Sequence, residues 1–182
     1  MAESSLFAAS PHQPIDVMLL VENSHQMSSI WDDLRNRYLS ILMSRLQVAT
    51  SEPITASVTV WVLESQSTTG SPRSYTDPYE AINDVRLSYE EENRVSSAKV
   101  DEAAIFLQAL RAEDQSRSLH LIVVAASTPL DATDVSPWYG LADKLVQVRG
   151  FLPLFCPNWR QGPNLNRQIF TVTCSCVPRA RI

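Results

Sequence analysis

Apolar residues along this chain fall into short continuous blocks separated by stretches with helical spacing. Residues 15–21 are nearly all apolar after Pro14, the pattern of a strand buried on both faces. A helix is predicted next. Ile30, Trp31, Leu34, Tyr38, Ile41, Leu42 and Leu46 recur at helical spacing, with Asp32, Asp33, Arg35 and Arg37 on the other side. Ser28 or Ser29 is its expected cap, and its expected end lies near Val48, ahead of the polar segment 49–53. The β-branched run 56–63 predicts a second strand. The Ser/Thr/Gly/Pro-rich stretch 66–74 reads as an exposed loop, residues 84–89 as a further strand, and acid-rich 90–94 as loop.

A second amphipathic helix is predicted over 97–111, with Val100, Ala103, Ala104, Leu107 and Leu110 on one stripe. Residues 119–126 are the most hydrophobic run and belong at the centre of a parallel sheet. Residues 127–137 read as loop. A third helix over 138–148 turns Leu141, Leu145 and Val148 inward, and Gly150 caps its end. Residues 151–156 form a strand that Pro153 places near an edge. Over 170–177, Phe170, Val172, Cys174 and Cys176 alternate with Thr171, Thr173 and Ser175, as in a half-buried strand. Strands alternating with helices imply an α/β fold, doubly wound, with a mostly parallel sheet and helices on both faces. Ligands of such sheets bind at the C-terminal ends of the strands. The expected organisation is an N-terminal arm over 1–14, one domain over 15–177 and a basic tail over 178–182.

Composition narrows the function classes. With 182 residues, 45% hydrophobic and 19% charged, the chain has the balance of one globular domain with a sizeable core. No apolar run approaches the roughly 18 residues of a membrane span, and the N-terminus lacks a signal-peptide pattern. Cys156, Cys174 and Cys176 do not make a disulfide framework, which favours a reducing compartment, cytosol or nucleus. Cys174 and Cys176 are too close together for a usual zinc knuckle. Net charge is −5, yet no acid follows Asp143 while Lys144, Arg149, Arg160, Arg167, Arg179 and Arg181 do. These cations form no run and are not interleaved with aromatics, so direct nucleic-acid binding is not expected.

Candidate chemistry concentrates where the first strand ends, in Val21-Glu22-Asn23-Ser24-His25-Gln26-Met27. None of the four glycines lies at this strand-to-helix turn, so a phosphate loop or dinucleotide site is not expected. There is no Gly-x-Ser-x-Gly elbow. Adjacent Ser24 and His25 are unsuited to act as nucleophile and base, because neighbouring loop residues rarely point together. Among the tryptophans Trp31, Trp61, Trp138 and Trp159, Trp138 is the candidate exposed anchor for a partner.

An apolar strand followed by an acid, a gap, a serine, a gap and a polar residue resembles the von Willebrand factor A domain, whose first strand typically ends Asp-x-Ser-x-Ser. In that family these side chains, with a threonine and an aspartate from later loops, hold a divalent cation completed by a partner's carboxylate. On that pattern Glu22 stands at the aspartate, Ser24 at a serine and Gln26 at the second serine. Only Ser96 or Ser97 stands where the threonine should be, and no acid stands at residues 126–128, Asp131 being the next. Too few hard oxygen ligands remain for Mg²⁺ or Ca²⁺, so no metal or other cofactor is expected. The likeness covers residues 16–155, and within the family it is nearest to a transcription branch. It implies a nuclear, non-enzymatic domain that tethers its subunit to the Mediator complex, and a chain that is a fragment or short form. Other scaffold subunits of the family (in DNA repair, general transcription or coat complexes) and a cation-dependent adhesion-type domain remain alternative readings.

Overall fold

The computed structural model describes residues 14–50, 56–66, 71–88, 93–147, 151–154 and 170–176. The first apolar block forms β1 (Ile15–Val21), and the β-branched run forms β2 (Val58–Glu64). The most hydrophobic run forms β4 (Ser118–Ala125), following a short β3 (Arg73–Tyr75). Two further strands, β5 (Phe151–Leu154) and β6 (Phe170–Cys176), complete a six-stranded sheet of order β3-β2-β1-β4-β6-β5. The expected parallel centre is present: β1 pairs in parallel with β2 and with β4. The flanks are antiparallel, through β2–β3 on one side and β4–β6 and β6–β5 on the other.

Helices cover both faces of the sheet. Odd-numbered Val17, Leu19 and Val21 of β1 join a core with Met27, Ile30, Trp31, Leu34 and Met43, while Met18 and Leu20 join another with Val100, Ala103, Ala104, Leu107 and Leu141. A strand packed on both faces has apolar residues at every position, which is why β1 and β4 read as unbroken apolar runs.

The first helical stretch departs from its sequence period. It comprises α1 (His25–Asp33), a π-helical turn (Leu34–Leu39) and α2 (Ser40–Ala49). Its N-cap is Ser24 rather than Ser28 or Ser29; the Ser24 Oγ accepts from the Met27 N–H at 3.2 Å. Ser28 and Ser29 instead donate back to the carbonyls of His25 and Gln26 at 2.8 and 2.7 Å. Because the π-helical turn closes over five residues, Leu34 and Leu39 both face inward. The period then resumes one position late. Met43 is buried, and Tyr38 and Ile41, expected inside, are exposed.

The strand expected over 84–89 is absent among its described residues. The chain there leaves α3 (Pro78–Asn83), whose Asp77 cap accepts from the Tyr79 N–H at 2.8 Å and whose proline opens the helix. The expected loop 66–74 contains the start of β3. The second predicted helix appears as α4 (Ser97–Glu113), capped by Ser96. The third appears as α5 (Ser136–Gln147). Residues 1–13, Gly150, Cys156, Trp159 and 177–182 lie outside the described residues, as do the side chains of Leu145, Val148, Cys174 and Cys176.

Candidate functional site

The parallel strands β1 and β4 both point their C-terminal ends at one rim of the sheet, where Glu22 follows β1 and residues 126–127 follow β4. Glu22 is fully buried. Its Oε2 accepts from the Ala126 N–H at 2.7 Å and the Ser127 N–H at 3.0 Å. Its Oε1 accepts from the Ser127 hydroxyl at 2.6 Å and from the Ser24 hydroxyl. A carboxylate offers about four acceptor positions, and all are filled by protein donors. The longer side chain of Glu carries the carboxylate across to the β4 loop and closes the site on itself.

The neighbouring residues are equally committed. Asn23, also fully buried, donates to the Arg86 carbonyl at 3.0 Å, and its Oδ1 accepts from the Ser88 N–H. Its own N–H donates to the Ser65 hydroxyl at 2.9 Å, and that hydroxyl donates to the Asn93 carbonyl. Ser88 and Asn93 both donate to the Gln66 side-chain oxygen, at 2.7 and 3.1 Å. This clasp joins the ends of β1 and β2 to the segment after α3. Gln26 is exposed on α1 and takes no part in it, and His25 is exposed beside it. Sequence reading assigned no role to Asn23, Ser65, Ser88 or Asn93. For Asn23 and Ser65 the one signal is a small polar residue just beyond a strand end; Ser88 and Asn93, between α3 and α4, carry no such signal.

Asp131 occupies the other side of the rim. Its Oδ2 accepts from the Ser97 N–H at 3.0 Å and from the Ser97 hydroxyl, closing the start of α4. Its Oδ1 accepts from the Trp138 indole N–H at 3.0 Å. Burial pushes the Asp131 carboxyl up, but the hydrogen bonds from Ser97, its own backbone and Trp138 outweigh that and hold it below the ordinary value. Trp138 therefore does not stand free as an exposed anchor. It lies in the first turn of α5, half-buried against the core that contains Leu141, with its polar edge tied to Asp131. Trp31 is buried, and Trp61 stacks edge-on to Phe106 with ring centroids 4.9 Å apart.

The sequence-derived positions Glu22, Ser24 and Ser97 thus converge on the rim, and Gln26 does not. The ligand set does not fit a divalent ion, because the oxygens that would face one already serve protein donors. Among the described residues no three His, Cys, Asp or Glu side chains gather as a metal site. A groove of about 350 Å³ beside the rim, between α4 and α5, is spanned by the Lys144–Asp101 ion pair at 2.8 Å. No helix among the described residues is long and apolar enough to cross a membrane.

These features define a mixed α/β domain with a polar rim knit together by internal hydrogen bonds at the ends of its parallel strands. No family model, curated protein or solved structure matches the chain.

Proposed function

We propose that this chain is a von Willebrand A-type protein-interaction domain, without enzymatic activity, whose ion site has closed on itself. The single observation that carries the reading is Glu22, whose carboxylate is saturated by Ala126, Ser127 and Ser24. A domain that grips neither ion nor phosphate is left with its outer surface as its means of recognition. The parallel centre, the helices on two faces and the position of Glu22 and Ser24 support the family assignment. The residue pattern over 20–23, 31–39 and 120–129 resembles the N-terminal domain of Mediator subunit 25. The role we propose is accordingly nuclear: tethering a subunit to the Mediator complex in regulated transcription by RNA polymerase II.

Affinity purification from nuclear extract followed by mass spectrometry tests the role. Recovery of Mediator subunits is expected. Recovery of a repair, general transcription or coat complex in their place would assign the domain to another scaffold of the family. Ion independence has its own test. An ion bound at a hundredfold excess over its Kd stabilises a fold by about 2.7 kcal/mol. Millimolar Mg²⁺ or Ca²⁺ is expected to leave the melting temperature unchanged, and a clear rise would restore the adhesion-type reading.

A further inference from the structure

The π-helical turn has a consequence for the outer surface of the domain. Had the helix kept its period through Leu34–Leu39, Tyr38 and Ile41 would face the core. The extra residue rotates them outward instead, and Tyr38, Ile41 and Val48 are 63%, 57% and 61% exposed. With exposed Arg45 between them, the spacing 38, 41, 45 and 48 steps by three, four and three residues along one side of the stretch. That is the spacing of a seam that receives a second helix. The insertion buries Leu39 and Met43 in the core and leaves two large apolar side chains in solvent in exchange, and π-helical insertions are frequent at functional sites.

The charge of the stripe selects the partner. Residues 34–50 contain Arg35, Arg37 and Arg45 and no acid, in a chain whose net charge is −5. Among the described residues Arg35 and Arg37 pair with Asp32 and Asp33 at the preceding turn, at 3.1 and 3.8 Å, in solvent-accessible contacts that exchange readily for others. We propose that the outer face of the Leu34–Thr50 stretch docks an amphipathic helix of a partner protein, with acidic residues flanking an apolar seam. Tyr38, Ile41 and Val48 form the apolar part of the seam on this side; Arg45, at its remaining position, lays its aliphatic stem along the seam and extends its guanidinium to the flanking acids, which Arg37 also meets. The assignment rests on the interaction-domain reading and gives it a face and a ligand chemistry.

The probe is a synthetic amphipathic helical peptide with a leucine seam flanked by glutamates, titrated by calorimetry against the whole chain. A second peptide with lysines in place of the glutamates serves as the charge control. Binding of the acidic peptide alone is expected, weakening with salt and falling about tenfold or more in Ile41→Asp and in Arg45→Glu. Both positions are exposed, so the variants keep the native circular dichroism spectrum. Absence of binding, equal binding of the lysine peptide, or unchanged affinity in both variants overturns the proposal. So does a wild-type dimer in sedimentation that Ile41→Asp makes monomeric, since a second copy is then the occupant. Purification from extract separates this failure from failure of the wider reading. A variant that recovers the wild-type complex unchanged removes the stripe alone, whereas a wild-type chain that recovers no complex removes the interaction reading itself.

Discussion

At the scale of single residues, Glu22 is the clearest case of a side chain whose chemistry was redirected by its neighbours. Its buried carboxylate offers charge-assisted acceptance to two backbone N–H groups and two hydroxyls. Glu22→Gln can keep its carbonyl toward the two N–H groups while the hydroxyls of Ser24 and Ser127 rotate to accept from the amide. That substitution is expected to cost about 1–2 kcal/mol. Glu22→Ala leaves two buried N–H groups without a partner and is expected to cost about 3 kcal/mol or more. Urea denaturation of both variants measures the order, and equal losses would show that the filled carboxylate is not what holds the rim.

His120 on β4 gives a pH signature. Burial pushes its imidazole below the ordinary value of 6.5, so the folded state disfavours the proton. The sign follows from linkage. Below the unfolded value the unfolded chain takes up a proton that the native chain refuses, so stability falls with pH from 6.5 downward until the depressed native value is reached. Asp131 acts in a lower window. Its native value is depressed below 3.8, so its contribution is full above that value and is lost as pH drops through the native one. Denaturant midpoints measured between pH 7 and pH 5 are expected to decline in the wild type and to flatten in His120→Gln.

Among the elements, the stretch from His25 to Ala49 shows where a sequence pattern holds and where it slips. The existence of a long helical stretch, its face toward β1 and its approximate end were all legible in the spacing of Ile30, Trp31, Leu34 and Leu46. The inserted residue was not, because a π-helical turn has no composition of its own and becomes favourable only through what it buries. Two substitutions separate the readings. Met43→Ala, at a fully buried position, is expected to cost about 2–5 kcal/mol. Ile41→Ser, which an unbroken period would place in the core, is expected to stay within about 0.5 kcal/mol of wild type. Thermal melts of the two proteins decide the matter.

Other elements were misread for local reasons. Asp77-Pro78 is a helix-start signal that outweighs the apolar alternation after it, so α3 stands just before the place where a strand was expected. The third helix is expected from residue 138, but α5 opens two residues earlier, at Ser136, whose N–H donates to Asp134 at 2.9 Å. The rim was legible in part. Glu22 and Ser24 could be named from the motif, whereas the Asn23 clasp joins residues up to 65 positions apart and leaves no periodic trace.

On the scale of the whole molecule, long-range pairings fix how the sheet is assembled. At the start of β1 the buried Asp16 accepts from Arg117 at 2.8 Å and from the Trp61 indole at 2.9 Å, joining the start of β1 to the entry of β4 and to the middle of β2, toward the end opposite Glu22. Asp16→Ala leaves Arg117 and the indole without their acceptor and is expected to cost about 2–4 kcal/mol, read by chemical denaturation. β6 runs antiparallel along β4 from Leu119 to Ala125, in the register Leu119↔Cys176 to Ala125↔Phe170. Truncation after Gln147 would strip that pairing and turn β4 into a bare edge. The truncated chain is expected to aggregate or to lose cooperative melting, which light scattering and calorimetry can follow.

What the sequence determined by itself is the set of elements with a strong period and the α/β alternation, because burial of a strand or a helix face leaves a repeating apolar mark within a few residues. It also determined that the first strand-to-helix turn lacks glycine and carries Glu22 where a shorter acid is usual in the resembling family. Only the tertiary structure decided that β6 lies between β4 and β5, that Glu22 reaches across to residues 126 and 127, and that Tyr38 and Ile41 face outward. Each of these depends on partners distant in the chain or on a single inserted residue, and neither leaves a period for the sequence to display.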